Sequence, residues 1–148
     1  MKVVVASDHG GVNIRKEIIH LLEELGMEYV DLGCECAAGS SVDYPDFAFP
    51  AAEMVAKGEA DRGILICGTG IGMSIAANKV KGIRCALIHD TFSAKATREH
   101  NDSNMMAMGE RVIGPGLARD VAEIWLTTEF LGGRHANRVG KINTYEAE

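Results

Sequence analysis

Short apolar runs rich in β-branched residues alternate along this chain with longer stretches whose apolar positions recur every three or four residues. Lys2 to Ser7 reads as a buried first strand, ending in the polar turn Asp8-His9-Gly10-Gly11. Val12 to Leu25 carries Ile14, Ile18, Leu21, Leu22 and Leu25 on one helical face, and Gly26 stops it. Glu28 to Leu32 predicts a second strand. A loop from Gly33 to Val42 then leads to Asp43-Tyr44-Pro45-Asp46, where the proline suits the start of a helix running to Lys57, with Gly58 as its cap. Ile64 to Ile66, Ile83 to Ile88 and Met105 to Met108 predict strands three, four and five. Helices are expected after the Cys67 loop through about Asn78, from Thr91 to about His100, from Gly114-Pro115 onward, and from about His135 to Tyr145. The helix at Gly114-Pro115 would turn Leu117, Val121, Ile124 and Trp125 inward.

Strands and amphipathic helices in strict alternation predict an α/β protein, because a parallel sheet buries both its faces under crossover helices. The expected architecture is a single doubly wound, Rossmann-like domain over residues 1–148, with a five-stranded parallel sheet in the order 2-1-3-4-5. No internal repeat, low-complexity tract or linker interrupts it.

One stretch stands out, Ile64-Leu65-Ile66-Cys67-Gly68-Thr69-Gly70-Ile71-Gly72-Met73. A strand stops at a cysteine, three glycines follow on alternate positions, and a helical segment begins. Strand carboxyl ends leading into helices are where α/β proteins bind ligands, and glycines let backbone amides approach an anion. Three familiar loops fail by register. A dinucleotide fingerprint needs its third glycine at Met73, a Walker loop needs Gly-Lys-Ser/Thr, and a cysteine phosphatase loop needs an arginine at Met73. What remains is a thiol beside a backbone anion hole, or else a tight turn with an inert core cysteine.

The parallel sheet brings Asp8 and His9, Cys67 to Gly72, and His89 and Asp90 to one edge. Asp8 could equally cap a helix, and His9 could be a solvated turn residue. Arg134 and Arg138, four apart, share one helix face and make a fork for a phosphate or carboxylate; a solvated basic face is the competing reading. Arg111 is a weaker candidate of the same kind, and His100 can serve a pocket, a neighbouring subunit or simply a helix C-terminus. His20 reads as a surface or packing residue, and Met73, Met105, Met106 and Met108 as core filler.

A net charge of −6 over 148 residues leaves no broad basic footprint for nucleic acid, so an anion site must be local. The cysteines Cys34, Cys36, Cys67 and Cys85 form no C-x-x-C pair and no zinc spacing. Cys67 and Cys85 suit free thiols in a reducing cytoplasm. Val3-Val4-Val5-Ala6 is too short for a signal peptide or membrane span.

Six separated motifs together resemble the type B ribose 5-phosphate isomerases, which include the galactose 6-phosphate isomerase subunits. They are Ser7-Asp8-His9-Gly10-Gly11, Asp43-Tyr44-Pro45, Ile66 to Gly72, Ala76-Ala77-Asn78-Lys79, Arg98-Glu99-His100-Asn101-Asp102, and Gly132-Gly133-Arg134-His135 with Arg138. The resemblance spans essentially the whole chain. It implies an aldose–ketose isomerase acting on a phosphosugar through a cis-enediolate, without metal or other cofactor. Cys67 then matches the base, and Gly68, Gly70, Ile71, Gly72 and Met73 the amides that hold the oxyanion. Thr69 and His100 match the ring-opening positions. Asp8, Tyr44 and Asn101 match contacts to sugar hydroxyls, and His9, Arg111, Arg134 and Arg138 match contacts to phosphate. A family subgroup carries glycine for the cysteine and a glutamate at the position of Met73, so this chain resembles the cysteine-base subgroup. The family's site lies between two subunits. This implies a homodimer, which can pair into a tetramer, with His100, Asn101 and Arg111 supplied by the partner.

Ribose 5-phosphate is the expected substrate, with allose 6-phosphate and galactose 6-phosphate as alternatives. A non-catalytic sugar-phosphate or nucleotide-binding module would keep the glycines and arginines without needing the thiol. A cysteine hydrolase would need a base beside Cys67.

Overall fold

A computed structural model describes all 148 residues. The strands are β1 (Lys2–Ser7), β2 (Glu28–Asp31), β3 (Arg62–Cys67), β4 (Cys85–Leu87) and β5 (Met105–Gly109). The helices are α1 (Val12–Glu24), α2 (Pro45–Ala56), α3 (Ile71–Ala77), α4 (Thr91–Asn101), α5 (Pro115–Thr127) and α6 (Arg134–Ala147). All four strand pairings are parallel.

The strand order is 2-1-3-5-4, which corrects the expected 2-1-3-4-5. Burial explains the exchange. Met105–Gly109 is fully buried on both faces and needs neighbours on both sides, whereas the three residues of β4 are half-exposed and suit an edge.

Successive side chains along a strand point to opposite faces, and the core divides accordingly. Val3, Val5, Ile64, Ile66, Met106 and Met108 pack under α1, α4 and α5, while Val4, Ala6, Leu65, Cys67, Met105 and Ala107 pack under α2 and α3. The sheet is therefore covered on both faces, as the apolar alternation predicts. In α5 the buried stripe is Ala118, Val121, Ala122, Trp125 and Leu126, so Leu117, expected inward, is instead 43% exposed beside it. Helix α6 packs on α4 and buries only His135 and Val139.

At the edge where the strands begin, buried polar groups replace apolar packing. Arg62 donates to the carbonyls of Trp125 (2.9 Å) and Leu126 (2.8 Å), and Trp125 Nε1 donates to Ser103 Oγ at 2.9 Å. Arg98 Nη1 donates to the Ser103 carbonyl at 2.6 Å and to Asp102 at 2.9 Å. These bonds lock the C-terminus of α5 and the α4–β5 turn in place, satisfying carbonyls that would otherwise be orphaned.

Candidate active site

The parallel register collects the strand carboxyl ends along one edge, since Ser7 lies opposite Ile66, Cys67 opposite Gly109, and Leu87 opposite Ala107. Cys67 is at the centre of that edge, 5% exposed, and its Sγ accepts the Gly70 amide at 3.1 Å. The loop turns back over the sulfur because Gly70 is left-handed (φ +77°) and stands against Met108 and Leu87, where a Cβ would lie 2.8 Å and 2.7 Å from them. Only glycine meets both demands. Thr69 Oγ1 accepts the Ile71 amide at 3.3 Å. The amides of Gly72 and Met73, in the first turn of α3, have no backbone acceptor.

Around this loop, the Asp8 carboxylate accepts the Gly10 amide at 2.8 Å, which shapes the turn after β1; the cap position of α1 is Gly11. His9 Nδ1 accepts the Val42 amide at 3.1 Å and ties that turn to the loop after β2. The ring of Tyr44 lies over Gly72, where a Cβ would sit 2.7 Å from its Cζ. Arg111 donates its amide to the Gly68 carbonyl at 3.0 Å, and its side chain lies over Gly68. Arg111 thus reaches the loop of its own chain, against the expectation that a partner supplies it; β5 adjoins β3, so their following loops meet.

His100, Asn101, Arg134 and Arg138 lie elsewhere. Met105 pairs with Gly63 at the start of β3, and Cys67 pairs with Gly109 at its end. The α4 terminus that precedes Met105 is therefore about 13 Å from Cys67 along the strand axis alone, four residue steps at ~3.3 Å. His100 stacks there on His135, with ring centroids 4.4 Å apart, beside the N-terminus of α6 that carries Arg134 and Arg138. The two groups of candidate residues therefore lie at opposite ends of the strands.

Several contacts were not legible in the sequence. Arg15 is buried at the end of β1 and donates to Ser7 Oγ and the Cys34 carbonyl, both at 2.8 Å. Cys34 and Cys36, two residues apart, bring their sulfur atoms together in the loop beside His9. His89 Nε2 accepts the Gly109 amide at 2.8 Å, and burial lowers the histidine's pKa against the opposing pull of Asp90. Asp90 caps α4 through the Ser93 amide, and that bond chiefly lowers its pKa. No three His, Cys, Asp or Glu side chains converge at metal-binding distance. No helix is long and apolar enough to cross a membrane.

A doubly wound parallel sheet with a thiol and a glycine loop at its carboxyl edge defines an α/β protein of the kind that binds ligands at that edge. The chain belongs to the ribose/galactose isomerase family, whose profile matches residues 3–142. It is 75% identical over 146 residues to YwlF of Bacillus subtilis, a protein provisionally named as a sugar phosphate isomerase, with 99% of this chain and 97% of that one covered. The solved structure of Clostridium thermocellum ribose-5-phosphate isomerase B superposes with a TM-score of 0.95 at 54% identity, covering 99% of this chain and 98% of that one. Ribose-5-phosphate isomerase B from Mycoplasma genitalium, solved with bound ribulose-5-phosphate, superposes with a TM-score of 0.93 at 40% identity, covering 99% and 97%.

Proposed function

We propose that the chain is one aldose–ketose isomerase domain that interconverts ribose 5-phosphate and ribulose 5-phosphate, with Cys67 as the general base. The observation that carries the reading is the Gly70 amide aimed at Cys67 Sγ, 3.1 Å away in a nearly water-free position. That bond fixes the sulfur against the glycine loop, at the carboxyl end of β3. From the open-chain aldose the thiolate takes the C2 proton, and the electron pair moves into a C1–C2 double bond as negative charge develops on O1. The amides of Gly72 and Met73, free of backbone acceptors, would receive that charge, leaving Arg111 for the phosphate. Preorganised donors of this kind need no reorganisation when the charge appears. The proton returns to C1, and the hydroxyl proton passes from O2 to O1, giving the ketose.

Asp8 and Tyr44 would hydrogen-bond sugar hydroxyls, and His9 would contact the phosphate. His100, Asn101, Arg134 and Arg138 lie at the far end of the strands in their own chain, which favours a homodimer with shared sites. His100 of the partner subunit and Thr69 would then open the furanose, and Arg134 and Arg138 of the partner subunit would hold the phosphate. The flank beside the loop supports such pairing. Ile71, Ile75 and Leu87 are about half exposed there, and a groove of about 650 Å³ lies between β4 and α6, lined in part by Ile83, Cys85, Ile142 and Tyr145. A reducing cytoplasm would keep the Cys67 thiol available.

Isomerisation of ribose 5-phosphate by chelator-treated protein, beside Cys67→Ala, tests this reading. The expected result is turnover that survives the chelator and falls about 10²–10⁴-fold in the variant, the usual worth of a general base. Normal turnover by Cys67→Ala would remove the thiol from the mechanism. Activity confined to six-carbon sugar phosphates would change the substrate alone, and binding of phosphosugars without turnover would make the chain a binding module.

A further inference from the structure

Strands β1, β3 and β5 each deliver residues of the proposed site, whereas β4 is followed by an imidazole that bonds the backbone of the neighbouring strand. Strand β4 ends at Leu87, one residue after which Ile88 still donates to the Ala107 carbonyl at 3.0 Å. Beyond that point the Gly109 amide takes His89 Nε2 as its acceptor, at 2.8 Å, in place of a strand carbonyl.

What Gly109 touches on its other side gives this bond its consequence. A Cβ at Gly109 would lie 2.5 Å from the Cα and carbonyl carbon of Thr69 and 2.7 Å from the Gly68 carbonyl oxygen, so the two backbones are in contact without slack. The next two residues are laced to the same loop, Glu110 donating to the Cys67 carbonyl at 2.9 Å and Arg111 to the Gly68 carbonyl at 3.0 Å. Residues 109–111 therefore form the floor under Cys67, Gly68 and Thr69, and His89 is the anchor on the side away from that loop.

We propose that His89 is a positioning residue for the isomerisation: by holding the Gly109 amide it fixes the floor on which the Cys67–Thr69 loop rests. The inference rests on the isomerase reading above and adds to it a residue that touches no substrate. An imidazole accepts at Nε2 only when neutral and protonated at Nδ1, because both nitrogens of the charged ring are donors. Burial, which lowers the pKa of His89, favours that neutral form.

The test compares wild type with His89→Leu, which removes the acceptor, and His89→Gln, whose carbonyl oxygen reaches to about the place of Nε2. Amide hydrogen exchange, measured without substrate, is expected to quicken at Gly109, Gly70 and Ile71 in His89→Leu and to stay near wild type in His89→Gln. With ribose 5-phosphate, kcat is expected to fall about tenfold in His89→Leu with KM within about twofold, and to recover to within about threefold of wild type in His89→Gln. Nitrogen-15 spectra of histidine-labelled wild type, which need no variant to fold, should show the Nδ1-protonated tautomer. A proton on Nε2, wild-type exchange and kcat in His89→Leu, or a glutamine variant no better than leucine would each overturn the proposal. If wild type turns over no phosphosugar, the isomerase reading has failed by itself. The tautomer and the exchange pattern still decide whether His89 holds the loop.

Discussion

The imidazoles of His100 and His135 stack with centroids 4.4 Å apart and ring planes 16° from parallel, joining the end of α4 to the start of α6. Burial lowers the pKa of His135, and the charges of His100, Arg134 and Arg138 lower it further, against a smaller opposing effect of Glu99. His89 is displaced in the same direction. A histidine whose folded pKa lies below its unfolded value takes up protons first in the unfolded chain, so stability falls as pH drops from about 6.5 toward the folded value. Thermal melts across this range should show the melting temperature falling with pH, and a shallower fall in His135→Gln. Equal slopes would remove His135 as a contributor.

Because the two groups of candidate residues lie at opposite ends of the strands, a dimer with shared sites allows complementation. Cys67→Ala and His100→Ala should each be nearly inactive alone. Mixed by unfolding and refolding together, half of the dimers are hybrids with one intact site of two, restoring roughly a quarter of wild-type activity. Activity no greater than the sum of the two variants would place both residues in one chain's site, or in none.

Gly70→Ala should disable the loop. The position has φ +77° and a Cβ there would lie 2.7 Å from Leu87 Cδ1 and 2.8 Å from the Met108 carbonyl carbon, so alanine meets both backbone strain and a clash. The expected cost is about 1–3 kcal/mol of stability, read by urea unfolding, with a larger proportional loss of turnover as the amide leaves Cys67 Sγ. A variant of wild-type stability and activity would show that the loop tolerates another path.

Cys85 should behave as an inert thiol. Burial pushes its pKa up to about 12, so almost none of it is thiolate around pH 8, the form that alkylates. Mass spectrometry after iodoacetamide treatment should find Cys85 unmodified in the folded protein and labelled after denaturation. Labelling in the folded state would mean that the thiol ionises more readily than its surroundings imply.

The parallel α/β architecture was legible because every strand declares itself as a short apolar run and every crossover as a helical period. Cys67, Gly70 and Gly72 were legible for a related reason, since a loop that turns left-handed at Gly70 and passes under Tyr44 at Gly72 has few alternatives to glycine. Harder cases fell where local pattern carries no information about neighbours. The inward face of α5 shifted off Leu117 onto Ala118 and Ala122, because close helix packing against the sheet favours the small residues. Arg15, Arg62 and Arg98 look like surface residues in sequence, yet each is buried against carbonyl groups that no pattern of side chains reveals.

By itself, the sequence determined which segments are strands and helices, that the strand ends share one edge, and that a thiol stands there among glycines. These follow from periodicity and backbone sterics, which act over a few residues. Only the tertiary structure decided that β5 lies between β3 and β4, that Arg111 reaches its own chain's loop, and that His100, Arg134 and Arg138 lie at the opposite end of the strands. It also turned His89 from an unassigned residue at a strand end into the acceptor of the Gly109 amide. Such relations depend on which strands become neighbours, and that is settled by burying the whole apolar surface at once rather than by any one segment's preferences.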